Sequence, residues 1–339
     1  MADRRRVVGP TDGTTPPVFS PSPSSTSLPP SKRVCRDRGP QDLRQIFLKT
    51  SLTPPAVGSS FLELPSPPTY SNSSTLKLTC SVFGPRALPH SAPFFPQARL
   101  SCELKFAPFA SPLKRRGYVR DHTERDLSVQ LATALQRSIL LEKYPKSGID
   151  VFVTVLDCEG EAGAVTGVSS FHAGGGKGGG GWGGGGVDVG LLGVLAGAIT
   201  CASAAIADAG IECLDLVSGG VSALVRKPGG GGDDDAMGQE MEDELVVVQD
   251  PSPEEHAPGD IVAACAVGYM AAREELTEVW MRGVVETSID TEDKTEDNLD
   301  RMMDGAIMAA AQARRVLNEG VAERLLFAMN MAKHEMEIT

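Results

Sequence analysis

Apolar and polar residues alternate strictly in two stretches of the first third of the chain. In STLKLTCSV (74–82), Leu76, Leu78, Cys80 and Val82 alternate with Lys77, Thr79 and Ser81. In LSCELKF (100–106), Leu100, Cys102, Leu104 and Phe106 alternate with Ser101, Glu103 and Lys105. A period of two predicts strands with one buried face, and we read both as antiparallel. SSFLEL (59–64) predicts a shorter strand before them, with Pro54, Pro55, Pro65, Pro67 and Pro68 marking turns.

The period then changes to that of a helix. Leu127, Leu131, Ala134, Leu135 and Ile139 share one helical face, with Thr123 placed at the N-cap and Asp126 three residues on. EKYPKSG ends that helix, and IDVFVTVL (149–156) returns to strand spacing. LLGVLAGAITCASAAIADAG (191–210) reads as a helix of small residues, stopped by Gly210 and able to pack close to a sheet. IECLDLVSGGVSALV reads as a bent strand or a hairpin. Three strands follow in ELVVVQD, DIVAACAVG and ELTEVWMRG. A long helix from about 295 to 333 closes the chain, with Leu299, Met303, Ala306, Ala310, Ala313 and Leu317 on one face. Mixed strands with few helices predict an α+β fold rather than a doubly wound parallel sheet.

Composition adds the boundaries. Residues 1–40 are rich in Pro, Ser and Thr and are predicted to be a disordered basic tail carrying Arg4, Arg5, Arg6, Lys32, Arg33, Arg36 and Arg38. The folded domain is placed at 41–339, interrupted by a flexible glycine-rich insertion at 172–187 and an acidic linker at 228–243. No run is read as long and apolar enough to cross a membrane, and the N-terminus lacks the apolar core of a secretory signal. Seven scattered cysteines with no CxxC read as reduced thiols, and five scattered histidines with no HxxxH predict no zinc or other metal site. The net charge of −12 argues against a coat-like nucleic-acid binder, so any such contact has to be local.

Three segments carry candidate chemistry. FHAGGGKGGGGWGGGGVDVG (171–190) holds twelve of the 37 glycines, but Lys177 is followed by Gly178 and Phe171 stands where a P-loop needs glycine. It therefore reads as an insertion and not as a phosphate cradle, with Trp182 as its one large side chain. SPLKRRGYVRDHTERD (111–126) sets Lys114, Arg115, Arg116 and Arg120 beside Tyr118. Such a loop either contacts RNA phosphates and stacks a base or is a solvated turn, and its composition alone weighs the two evenly. VVVQDPSPEEHAPGD (246–260) places Asp250, Glu254 and Glu255 just after a strand, as acid or cation ligands, or as a charged turn stiffened by Pro251 and Pro253.

In their order these segments resemble the RNase PH family. The resemblance is carried by GSSFLEL, STLKLTCSVFGPR, ARLSCELKFAPFAS, ERDLSVQLATALQRSILLEKYPKSGIDVFVTVLDCEG, AGAITCASAAIADAGIECLDLV and VVVQDPSPEE with GDIVAACAVGYMAAREELTEVWMRG. It covers nearly everything from residue 41 onward. Within the family, the KFAPFAS…KRRG loop and the DP…EE turn are most similar to the ring subunits of the eukaryotic RNA exosome of the mRNA transport regulator type. The resemblance implies the RNase PH-like, ribosomal protein S5 domain 2-like two-layer fold. It also implies a non-catalytic ring subunit that pairs with other RNase PH-like subunits, meets RNA-binding cap subunits and RNA, and resides in nucleus, nucleolus and cytoplasm. Phosphorolytic members carry an aspartate–diglycine–Thr-Arg-Thr segment that binds phosphate at a helix N-terminus. Here Asp157 stands at the strand end, but no Arg or Thr stands at the helix entrance, VDVGLLGVLAGA. Without that guanidinium no bidentate clamp holds phosphate, and the expectation is a degenerate active site with no cofactor. Lys114, Arg115, Arg116 and Arg120 are the expected RNA contacts, with Arg86 in FGPR a further one. An active phosphate-dependent 3′–5′ exoribonuclease and a scaffold without RNA contact are the alternatives.

Overall fold

The computed structural model describes residues 36, 38–65, 76–89, 91, 93–110, 117–158, 187–226, 245–253, 255–256, 260–283 and 292–338. Residues 172–186 of the glycine-rich insertion and the acidic linker lie outside the described residues, as do residues 1–35. One folded unit begins at Cys35. It contains β1 (Phe47–Thr50), β2 (Gly58–Leu64), β3 (Leu76–Ala87), β4 (Arg99–Phe106), α1 (His122–Gln136), β5 (Ser147–Asp157), α2 (Val189–Asp208), β6 (Val217–Arg226), β7 (Leu245–Gln249), β8 (Ile261–Met270), β9 (Glu275–Gly283) and α3 (Glu292–Ile338).

The strands form a five-stranded sheet, β1-β2-β3-β5-β4, and a four-stranded sheet, β7-β6-β8-β9. The α+β class is as expected, and a sheet-and-helix pair occurs twice. Helices α1 and α2 lie between the sheets, and α3 covers the far face of the second sheet. The inward residues of β3 and β5, Leu78, Cys80, Val82, Ile149, Val151, Val153 and Val155, are buried as their alternation requires. They meet Leu127, Leu131 and Leu135 of α1 and Leu192, Leu195 and Ile199 of α2 in one core.

Several expectations are corrected. Strand β4 runs parallel to β5, not antiparallel to its neighbour, because α1 carries the chain back to the same end of the sheet between them. Its edge is closed by α1 side chains: Leu104 N–H donates to Ser128 Oγ at 2.9 Å and Phe106 N–H to Glu124 Oε1 at 3.0 Å. The N-cap of α1 is Asp121, not Thr123, and Glu124 completes it by accepting from Asp121 N–H at 3.0 Å. Residues 211–216 precede a single strand, β6, so no hairpin forms there. The tail does not run to residue 40, because Arg36 and Arg38 are held on the domain by the ion pairs described below.

Helix α2 is long and apolar enough to cross a membrane, with mean hydropathy 2.1 over its best window, contrary to the reading of the sequence. Burial explains that composition, since 83% of the window is covered. The two sheets press on opposite sides of it, so it has no solvent face to keep polar. Its hydroxyls also satisfy the part of β6 that β7 is too short to pair. Val217 N–H donates to Ser203 Oγ and Gly219 N–H to Thr200 Oγ1, each at 2.9 Å.

Candidate functional site

The place to test for phosphate chemistry is the N-terminus of α2. Four opening N–H groups there lack helical partners, and the helix dipole favours an anion. The chain supplies its own: Asp188 caps the helix, its Oδ1 accepting from Leu191 N–H at 3.3 Å. The opening turn, Val189–Leu192, carries no cation. Among the described residues, the capping residue and opening turn offer an arriving inorganic phosphate a carboxylate and no guanidinium of their own. Asp157 ends β5, and the residues between 158 and 187 lie outside the described ones.

The second place is the acidic turn after β7. Asp250 sits there in the left-handed region, at φ 47°, which Asp tolerates better than most residues. Its carboxylate is fully engaged. Arg44 donates through Nε at 2.8 Å, Nη2 at 2.7 Å and its backbone N–H at 3.0 Å, and Arg38 Nη1 donates at 3.0 Å. Five residues on, the Glu255 carboxylate accepts from Arg38 Nη2 at 2.7 Å and Arg36 Nη1 at 3.1 Å. Burial pushes the Asp250 carboxyl pKa up, but the charge and hydrogen bonds of Arg44, with Arg38 behind it, hold it below the ordinary carboxylate value. Burial likewise pushes the Arg36 guanidinium pKa down, helped by Arg38 and opposed by Glu255 and Asp250. Glu254 lies outside the described residues.

This turn is therefore a clasp of two carboxylates and three guanidiniums tying the start of the domain to β7. Behind Asp250 lies a cavity of about 50 Å³, walled by Leu62, Gly193, Gly197 and Ala313. That is far below the few hundred Å³ of a ligand pocket. Among the described residues no group of three or more His, Cys, Asp or Glu side chains could hold a metal. Among the described residues no two cysteines form a disulfide, and burial pushes the Cys201 thiol up to about 12, which disfavours a nucleophilic thiolate there.

The expected RNA contacts separate. Lys114, Arg115 and Arg116 lie outside the described residues. Arg120 is paired with Glu103 on β4 at 3.4 Å, and Arg86 with Asp150 on β5. Reading along the chain finds no carboxylate near Arg120 before Asp121, but the sheet brings Glu103 to it from 17 residues upstream. Both pairs are partly exposed, and such pairs hold a side chain in place with little net energy.

The family model for RNase PH, the 3′ exoribonuclease family, domain 1, matches residues 42–212. The chain belongs to the RNase PH family. Among its relatives, it is 39% identical over 327 residues to the exosome complex component MTR3 of Chaetomium thermophilum, covering 95% of this chain and 99% of that one. It is 32% identical to the exosome complex component mtr3 of Schizosaccharomyces pombe, covering 85% and 87%. The crystal structure of rice Rrp46 superposes with a TM-score of 0.55 at 15% identity, covering 84% of this chain and 98% of that one, which shows the shared RNase PH fold.

Proposed function

We propose that the chain is a non-catalytic structural subunit of the RNA exosome core ring, helping to form the channel that threads RNA for 3′–5′ processing and degradation. The ring assignment is carried by the end-to-end similarity to a protein named as an exosome component. The non-catalytic half rests on Asp188 occupying the helix N-terminus where phosphate would bind. Its partners are other RNase PH-like ring subunits, RNA-binding cap subunits and RNA, and its places of work are nucleus, nucleolus and cytoplasm.

Purified from its own cells, the chain is expected to bring down other RNase PH-like subunits at stoichiometric level, read by native mass spectrometry. It is expected to release no nucleoside diphosphate from RNA with phosphate and Mg²⁺. A phosphate-dependent activity that disappears on Asp250→Asn, in a variant shown to be folded, would replace this reading by that of an active exoribonuclease.

Lys114, Arg115, Arg116 and Arg120 are proposed to neutralise RNA phosphates in the assembled particle, with Arg86 a further contact. Each phosphate neutralised on a single strand adds about 0.7 to the logarithmic salt slope of binding. Changing the four loop cations together to alanine is expected to flatten that slope by roughly one to three and to leave assembly intact. A variant ring with the wild-type slope would point to a scaffold without RNA contact at this loop.

A further inference from the structure

The five-stranded sheet buries one face on α1 and α2, and among the described residues no helix covers the other. That open face carries rings. Phe83 on β3 and Phe152 on β5 meet edge to face, with centroids 5.9 Å apart, and Phe152 exposes 38% of its surface. Beyond the edge strand β4, Tyr118 exposes 91% of its surface, with the Lys105 ammonium 4.7 Å from its ring centroid. Lys105 also donates to the Tyr118 carbonyl at 3.0 Å, which ties the Tyr118 backbone to β4 beside the exposed ring.

Register makes these features one strip. Phe152 lies opposite Glu103 on β4, and Glu103 holds Arg120. Phe83 lies opposite Asp150 on β5, and Asp150 holds Arg86, whose guanidinium sits 5.9 Å from the Phe83 ring. Three rings and three cations thus lie along one strip at β4, β5 and β3. The two guanidiniums are exposed on carboxylates that use only part of their donor forks, which leaves N–H groups for a second anion.

We propose that this open sheet face binds single-stranded RNA, stacking bases on Tyr118, Phe152 and Phe83 while Lys105, Arg120 and Arg86 meet the backbone. Ring faces are sequence-tolerant stacking platforms, and a sheet surface with two or three aromatics accommodates two or three bases. The strip sets Lys105, Arg120 and Arg86 against Glu103 and Asp150, one cation in excess on a chain whose net charge is −12. A protein partner fits less well, since a stable interface takes about 20–30 residues a side and three rings with three cations are few. That the strand is RNA rests on the proposed exosome role; the stacking geometry does not.

The test uses the full-length chain, alone and in the reconstituted ring, with a fluorescent oligouridine followed by anisotropy across a salt series. Tyr118→Ala and Phe152→Ala are each expected to weaken binding about fivefold or more with the salt slope unchanged, because a lost stack removes no charge. Tyr118→Trp is expected to restore affinity and to lose tryptophan fluorescence as RNA is added. Tyr118 is too exposed for its loss to unfold the chain, so the proposal stays testable if Phe152→Ala does not fold. Wild-type affinity in Tyr118→Ala overturns the proposal, as does no binding by the full-length chain or a loss that tracks the salt slope. Failed assembly of Phe152→Ala with unchanged RNA affinity also overturns it, by making the face a subunit interface. A chain that joins no ring subunits yet loses affinity on Tyr118→Ala removes the exosome role and keeps the stacking face.

Discussion

Alanine at Gly219 or at Gly220 is expected to cost about 3 kcal/mol of stability, a large fraction of the roughly 5–15 kcal/mol that holds a domain folded. These neighbours on β6 point to opposite faces of the sheet, and a helix backbone rests on each. A Cβ at Gly219 would lie 2.1 Å from the Ala196 carbonyl oxygen of α2, and one at Gly220 would lie 2.2 Å from the Ala306 carbonyl oxygen of α3. Both obstacles are main chain, so no side-chain rotation relieves them. Neither glycine has a positive φ, so the cost is steric and not conformational. Gly193 on α2 is the control, since a Cβ there meets nothing within 4 Å. Gly193→Ala is expected to stabilise by about 0.5–1 kcal/mol, as alanine does in a helix. Thermal unfolding of the three variants checks this. A Gly219→Ala or Gly220→Ala protein melting with the wild type would mean the helices are not seated on β6 as described.

The same two glycines show what a pattern of apolar positions conveys. Gly-Gly inside an apolar run reads as a turn because glycine is common in turns, whereas here it marks close approach of two helices. The alternation in β3 and β5 was legible because those strands bury one face and leave the other open. Strand direction was not legible: a period of two is the same in parallel and antiparallel pairs, and only the position of α1 decides it for β4. Strand β1, FLKT, escaped notice because four residues are too few to establish a period. Helix α2 was legible as a helix but not as one covered on both sides, although its uniform apolarity is the mark of that position.

At the candidate site, the missing Thr-Arg-Thr segment could be read directly, but what stands in its place could not be read with equal ease. Asp188, three residues before the amide it caps, fits a known capping pattern and could have been found by applying it. The arginine clasp is harder. Arg44 and Asp250 are 206 residues apart, and Arg36 and Arg38 follow a long basic, proline-rich stretch whose composition hides them. The clue was charge balance. A turn with buried carboxylates needs cations from elsewhere, and the nearest unassigned ones began the domain.

Asp250→Asn is expected to lose about 3–5 kcal/mol, the cost of leaving buried guanidiniums without their counter-charge. Asparagine keeps the shape of the side chain and tolerates the left-handed backbone at φ 47°, so the substitution isolates charge from strain. Arg44 is the partner most affected, with 5% of its side chain exposed and two of its side-chain donors on Asp250. The pH dependence has a definite sign. The folded pKa of Asp250 lies below its unfolded value, which is about 3.9 for an aspartate. Its contribution is therefore complete above about pH 4 and is lost as pH falls through the folded value. Wild type and Asp250→Asn should differ most at neutral pH and converge in acid, read by urea unfolding across that range. Arg44→Gln combined with Asp250→Asn should cost less than the two singly, because the second change removes the charge that the first leaves stranded. Equal stability of Asp250→Asn and wild type at neutral pH would deny the clasp its structural role and return Asp250 to the search for an acid.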